Sequence, residues 1–333
     1  MAGIPNGKGV YIWQLDACGF GENMRALVDD LVYAGVEWVS VKIQDGASLT
    51  WDTSHVALLH SFIAWAKGRG LDVRGWGYLY GGSAAKAVKE GQVSVLAINE
   101  YGVSGFEIDA EQEYKAPGSK TWAIAYMNTL RGAKPMLSVS LSSYRFPNLH
   151  NEFPWAEFLA QCDLHLPQVY WIGAHNPAGQ LVQSVGQLKA RRDLPVVPVG
   201  AGFPFGDWEP TVADWLAFDE EAKALGCPGL SVWSLQHVRQ LPEVWQCFQG
   251  LDWGAEPPPP SDPGPLMFEV VADSLFIRSG PGQSYPVVGG LEKGQVVECE
   301  NVGGWNAWVE ILPGKWACVS LSGVEYMRKV QGA

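Results

Sequence analysis

At 333 residues, with 47% hydrophobic and 17% charged side chains, the chain can bury one large core and a second small one, which excludes a disordered protein. Its net charge of -12 excludes the basic face that nucleic-acid binding needs, and it gives no electrostatic pull toward an anionic wall or membrane. No run approaches the ~20 apolar residues of a membrane span, so membrane insertion is not expected.

The N-terminus, Met1 to Gly9, is polar and lacks a basic segment followed by an apolar one, so no secretory signal is expected. Export would need lysis, a carrier particle or a non-classical route; the protein is otherwise cytoplasmic. From there, short β-type runs alternate with amphipathic helical runs. Strands are expected at Val10–Leu15, Trp38–Ile43, Val73–Tyr78, Gly105–Ala110, Met136–Leu141, Leu164–Tyr170, Val196–Val199 and Gly229–Trp233. Helices are expected at Glu22–Ala34, Ser54–Gly68, Ser83–Asn99, Lys120–Arg131, Gln180–Ala190 and Thr211–Leu225. Eight such units in about 250 residues predict a (β/α)8 TIM barrel over 1–253. A doubly wound open sheet is the alternative, but Asp16–Gly21 makes a poor phosphate loop after the first strand.

In a barrel of this kind the site lies at the C-terminal strand ends. Polar residues gather there: Asp16 after strand one, Lys42, Gln44 and Asp45 at strand two, and Tyr144 and Arg145 after strand five. Gln168 and Tyr170 close strand six, and Trp233 and Gln236 follow strand eight. Strand four is the most informative. Phe106, Ile108 and Ala110 alternate with Glu107, Asp109 and Glu111, so three carboxylates point one way. Converging acids are costly to desolvate and are tolerated where the fold uses their pKa differences, as in acid/base cleavage of a sugar bond. The competing readings are a bracing ion network of Glu107, Asp109 and Lys42 with Glu111 solvated at the rim, or Lys42 as a Schiff-base lysine. Arg145 suits either a substrate carboxylate or neutralisation of the strand-four acids. The scattered cysteines and histidines show no metal-site spacing, so neither metal nor cofactor is expected.

Residues 254–265 hold the proline run Pro257–Pro260, a semi-rigid spacer. Residues 266–333 then read as short strands broken by Gly/Pro turns, a small all-β barrel.

Ser104–Glu111 resembles the D-G-x-D-x-D-x-E signature of family 18 glycoside hydrolases, the chitinase-like barrels, with Ser104 and Glu107 departing from it. Gln168-Val169-Tyr170 is similar to that family's tyrosine-bearing strand, and Gly229–Ser234 to its G-x-x-x-W-S run. Trp38–Gly46 is similar to the strand-two run of family 25 lysozymes, for which Asp16 would be the reserve carboxylate. The resemblance implies substrate-assisted hydrolysis: Glu111, kept protonated, as general acid, Asp109 orienting the sugar's 2-acetamido group, Tyr170 bonding its oxygen and Trp233 stacking under the ring. Asp16, Lys42, Asp45, Glu107, Tyr144, Arg145, Gln168 and Gln236 are the remaining candidates for substrate contact. Leu275–Gly289 resembles the strand-turn of bacterial SH3-like (SH3b) domains, which often hold enzymes on peptidoglycan. Together these imply an N-acetylated polysaccharide partner, peptidoglycan ahead of chitin. The alternative is a non-catalytic, particle-associated carbohydrate-binding protein on a retired hydrolase barrel, to which Ser104 and Glu107 give weight.

Overall fold

In the computed structural model, eight parallel strands close on themselves in sequence order. They are β1 (Gly7–Ile12), β2 (Trp38–Asp45), β3 (Asp72–Leu79), β4 (Gly105–Ala110), β5 (Ser138–Tyr144), β6 (Leu164–Val169), β7 (Val199–Ala201) and β8 (Gly229–Trp233). The structure describes residues 3–21, 23–49, 56–254, 266–280, 282–299, 301–303, 308–312, 315–321 and 324–330. Glu22, residues 54–55 and most of the expected proline spacer, 255–265, lie outside the described residues. No described helix is long and apolar enough to cross a membrane.

The chain divides into two units. The first, Met1–Gln14, Leu31–Trp51 and Gly70–Pro257, carries all eight barrel strands. Its helices include α3 (Ala84–Tyr101), α4 (Ser119–Ala133), α6 (Pro177–Arg191) and α7 (Val212–Ala224), with α1 (Met24–Tyr33) running into it from the second unit and α2 (Val56–Gly68) lying wholly in the second. Local signals set the ends of these helices. Ser83 accepts the Lys86 amide at 3.2 Å to start α3, and Gly102, with φ 59°, ends it in the left-handed region. Thr211 and Asp214 form a reciprocal capping box on α7.

Ring closure depends on bare backbone. A Cβ on Gly229 would collide with the Gly7 backbone across the β8–β1 seam, so glycine is required there. β2 carries one irregularity that matters for function. Its register on β3 shifts between Lys42 and Gln44, the mark of a β-bulge. Gln44 is thereby turned outward to the Glu90 carbonyl (2.9 Å) and Ser94 (2.6 Å) on α3, while Asp45 pairs with Lys42 (3.1 Å).

The barrel interior is filled, as such interiors are. Its lower layer is polar: Arg74 and Glu107, both fully buried, pair at 3.1 Å. Ser40 donates to Glu107 at 2.6 Å, and Arg74 donates to Ser138 at 3.1 Å. A second buried cluster holds Tyr11, Trp38 and Trp76 with Leu164, Leu166, Val197 and Val199, against which Tyr78, Tyr170 and Trp233 pack.

The second unit, Leu15–Asp30, Asp52–Arg69 and Pro258–Ala333, holds α2, most of α1 and the C-terminal strands. The two helices meet through Arg25 over the Trp65 ring (5.0 Å) and Arg69 with Asp29 (3.4 Å). The strands are antiparallel, as the Gly/Pro turns predict, and Val270, Leu275, Trp308, Val309, Ile311, Ala317 and Met327 form their core.

Candidate active site

Strand alternation places the three β4 acids at three depths. Glu107 is wholly buried, Asp109 is 7% exposed, and Glu111, one residue past the strand, is partly exposed at the rim. A single amide holds the outer two together. Gln168 Nε2 donates to Asp109 Oδ1 at 3.1 Å and to Glu111 Oε1 at 2.8 Å. Asp109 and Glu111 are also hydrogen-bonded to each other.

Burial, and after it the Glu111 charge, raises the Asp109 carboxyl well above its ordinary range, against the opposing pull of Lys42 and Gln168. Burial and the neighbouring charge thus favour the neutral form of Asp109, in which its carboxyl is the hydrogen-bond donor to Glu111. A raised carboxyl contributes stability present in full below pH 3.8 and lost as pH climbs through the folded-state value. Asp109→Asn is thus expected to raise the melting temperature above the wild type, with a margin absent in acid and widening as pH rises. Thermal melts across pH measure this; a constant margin would remove the titration account.

Around the pair the mouth is polar on one wall and aromatic on its floor. Tyr78 donates to Glu113 at 2.8 Å, and Tyr80 to Asp45 at 3.3 Å. Lys42 lies 5.2 Å over the Trp76 ring. Trp233, at the end of β8, packs 5.2 Å from Trp76 and 5.5 Å from Tyr11, and the peptide after it is cis. Tyr170 packs edge-on against Phe203 at 5.3 Å. Burial, then the Asp109 and Glu111 charges, raises its hydroxyl well above the ordinary range, so it remains a donor.

Of the residues expected at the site, Asp109, Glu111 and Gln168 touch one another. The Asp109 and Glu111 charges act on Tyr170 and Tyr144. Lys42 acts on Asp109 and pairs with Asp45. Glu107 is a correction: with no exposed surface and an Arg74 partner, it cannot touch a sugar. The bracing network expected to involve Lys42 and Asp109 is instead built on Arg74. Gln236 is 3% exposed and accepts the Trp13 amide at 3.4 Å, which makes it a brace for the β1 end. Asp16 opens a short 3-10 turn, Asp16–Cys18, in the second unit. Among the described residues, no cluster of histidine, cysteine or carboxylate side chains is arranged to hold a metal.

Sequence reasoning missed Arg74, Trp76 and Tyr78. The signal was present: these large residues alternate with Val73, Gly75 and Gly77, a strand with one crowded face. Glu113, one further step along the alternation, accepts from the Tyr78 hydroxyl at 2.8 Å.

No protein-family model matches the chain, and no curated protein sequence does. Solved structures share its barrel. A family 18 chitinase from Cycas revoluta, solved with allosamidin, aligns with a TM-score of 0.57 at 11% identity, covering 74% of this chain and 99% of the other. A chitinase from Chromobacterium violaceum aligns with a TM-score of 0.54 at 13% identity, over 74% and 98%. The spore cortex-lytic enzyme SleL of Bacillus megaterium aligns with a TM-score of 0.52 at 9% identity, over 74% of each. At these identities the likeness is one of fold.

Proposed function

We propose that the barrel is a glycosidase acting on N-acetylated glycans, peptidoglycan ahead of chitin. The observation that carries this reading is the Asp109–Glu111 pair at the C-terminal end of β4, clamped by Gln168, with the Asp109 carboxyl raised by burial and by the Glu111 charge. That chitinases and a cortex-lytic enzyme use the same barrel supports it.

The chemistry follows from the pair. A sugar stacked on Trp233 brings its acetamido N–H to Asp109. That donor favours the ionised form of Asp109, so its proton passes to Glu111. Glu111 gives it to the glycosidic oxygen as the C1–oxygen bond breaks, and the acetamido oxygen, held by the Tyr170 hydroxyl, forms the new bond to C1. Water then opens this cyclic intermediate at C1, losing its proton to the Glu111 carboxylate, which restores the pair. The polymer is retained by the C-terminal module, residues 266–333, acting as an SH3b-like wall-binding domain on the 254–265 spacer, which raises the local concentration of substrate.

Purified full-length protein incubated with peptidoglycan and with chitooligosaccharides tests the reading. New reducing ends are expected from an N-acetylated glycan. Binding without product would instead assign a glycan-binding protein on a hydrolase-type barrel.

A further inference from the structure

Beside the acid pair, on the β5 side of the mouth, lies a small cationic group that the proposed mechanism does not use. Tyr144 ends β5 and is the register partner of Gln168, the residue that clamps the pair. The Tyr144 ring stacks on His150 at 3.8 Å, and Lys115 Nζ lies 4.2 Å from its centre. Burial, and after it the charges of Glu111, Glu113, Glu152 and Asp109, pushes the Tyr144 hydroxyl up to about 12, which places Tyr144 within electrostatic reach of the acids.

Lys115 is already shared, donating to His150 Nδ1 at 2.8 Å with Glu152 at 3.7 Å. Burial and Lys115 together lower the His150 pKa, so this imidazole accepts from Lys115 as the neutral form. Arg145 differs from both. Its guanidinium lies 4.9 Å from the Phe146 ring centre, and its Nε is buried without a hydrogen-bond partner. No carboxylate pairs with it among the described residues. Burial lowers its pKa with no acid opposing the shift. Arg74, Arg131 and Arg69 each have a carboxylate. A half-buried guanidinium with one face stacked and no counter-ion has lost solvation without compensation. It presents a preorganised fork for a planar anion.

We infer that Arg145, supported by Lys115, is a carboxylate-reading subsite that makes this site favour N-acetylated glycans bearing an acidic substituent, such as a lactyl ether, over neutral N-acetylglucosamine oligomers. The inference rests on the glycan reading above and adds to it the charge of the substrate.

Calorimetric titration of full-length Glu111→Gln protein, which cannot turn the ligand over, tests it with three probes of equal length. These are chitotetraose, the peptide-free alternating N-acetylglucosamine/N-acetylmuramic acid tetrasaccharide, and that tetrasaccharide with its carboxyls reduced to alcohols. The acidic probe is expected to bind about tenfold more tightly than the other two. Adding Arg145→Gln should abolish that advantage while leaving chitotetraose binding unchanged. Arg145→Lys should keep part of it, and Lys115→Gln should shrink it. Circular dichroism checks that each variant is folded. Equal affinity for all three probes, or equal loss for all three on Arg145→Gln, overturns the subsite. A wild-type preference for the acidic probe with no hydrolysis keeps the subsite and removes the glycosidase. Hydrolysis without preference does the reverse, and binding of none of the probes removes both.

Discussion

Glu111→Gln is expected to lower turnover of an N-acetylated glycan about 10²–10⁴-fold while leaving its binding nearly unchanged. The substitution keeps shape and keeps an acceptor for Gln168, which now meets Glu111 Oε1 at 2.8 Å. On the proposed mechanism it removes the proton carrier nearest the leaving oxygen. The loss should therefore fall on kcat and not on KM, because the missing interaction exists only in the transition state. Substrates with a good leaving group need little protonation, so an aryl glycoside should lose far less than a natural glycan. Glu113→Gln is the matched control. Glu113 is bonded to Tyr78 at 2.8 Å, and its loss should loosen one wall without removing the acid. If the two variants exchanged phenotypes, the acid would be Glu113 and the pair reading would fail.

Much of this was legible in the sequence because period-two alternation is a strong signal. Strands β4 and β8 have the limits that the pattern predicts. The stacking of Glu107, Asp109 and Glu111 on one face needs only the geometry of an extended chain. Other features had local causes that the pattern hides. β7 was expected at Val196–Val199 but runs over Val199–Ala201. Pro195 and Pro198 have no amide to give the ladder, and Val196 makes only an isolated bridge to His165. β5 starts two residues later than expected, with Met136 left 76% exposed. The bulge in β2 was invisible, because a side chain's face is inverted by one inserted residue that no composition marks. Depth was the largest omission. Alternation says which face Glu107 occupies, but not that it lies one layer below the mouth, where its partner is Arg74 and not a sugar.

Breaking the buried pair beneath the site should produce the largest stability loss in the molecule. Glu107→Leu leaves the fully buried Arg74 guanidinium with only the partly exposed Asp72 carboxylate, 3.8 Å away, at a cost toward the lower end of about 3–5 kcal/mol. For a domain of this size that corresponds to a fall in melting temperature of roughly 2–4 °C per kcal/mol. The pair itself is not a net source of stability. Burial raises the Glu107 carboxyl even with Arg74 bonded to it, so desolvation outweighs the attraction. Removing both charges together should then cost much less than removing one. The double variant Arg74→Met, Glu107→Leu is expected to regain most of the loss, short of full recovery because Ser40 and Ser138 each lose a partner. A double-mutant cycle read by urea melts measures the coupling directly. Turnover adds a second readout. If Glu107 only braces β4, a folded double variant keeps substantial activity, since Asp109 and Glu111 retain Gln168. A folded double variant as inactive as Glu111→Gln would instead place Glu107 in the chemistry, acting on Asp109 from below through the interior of the barrel.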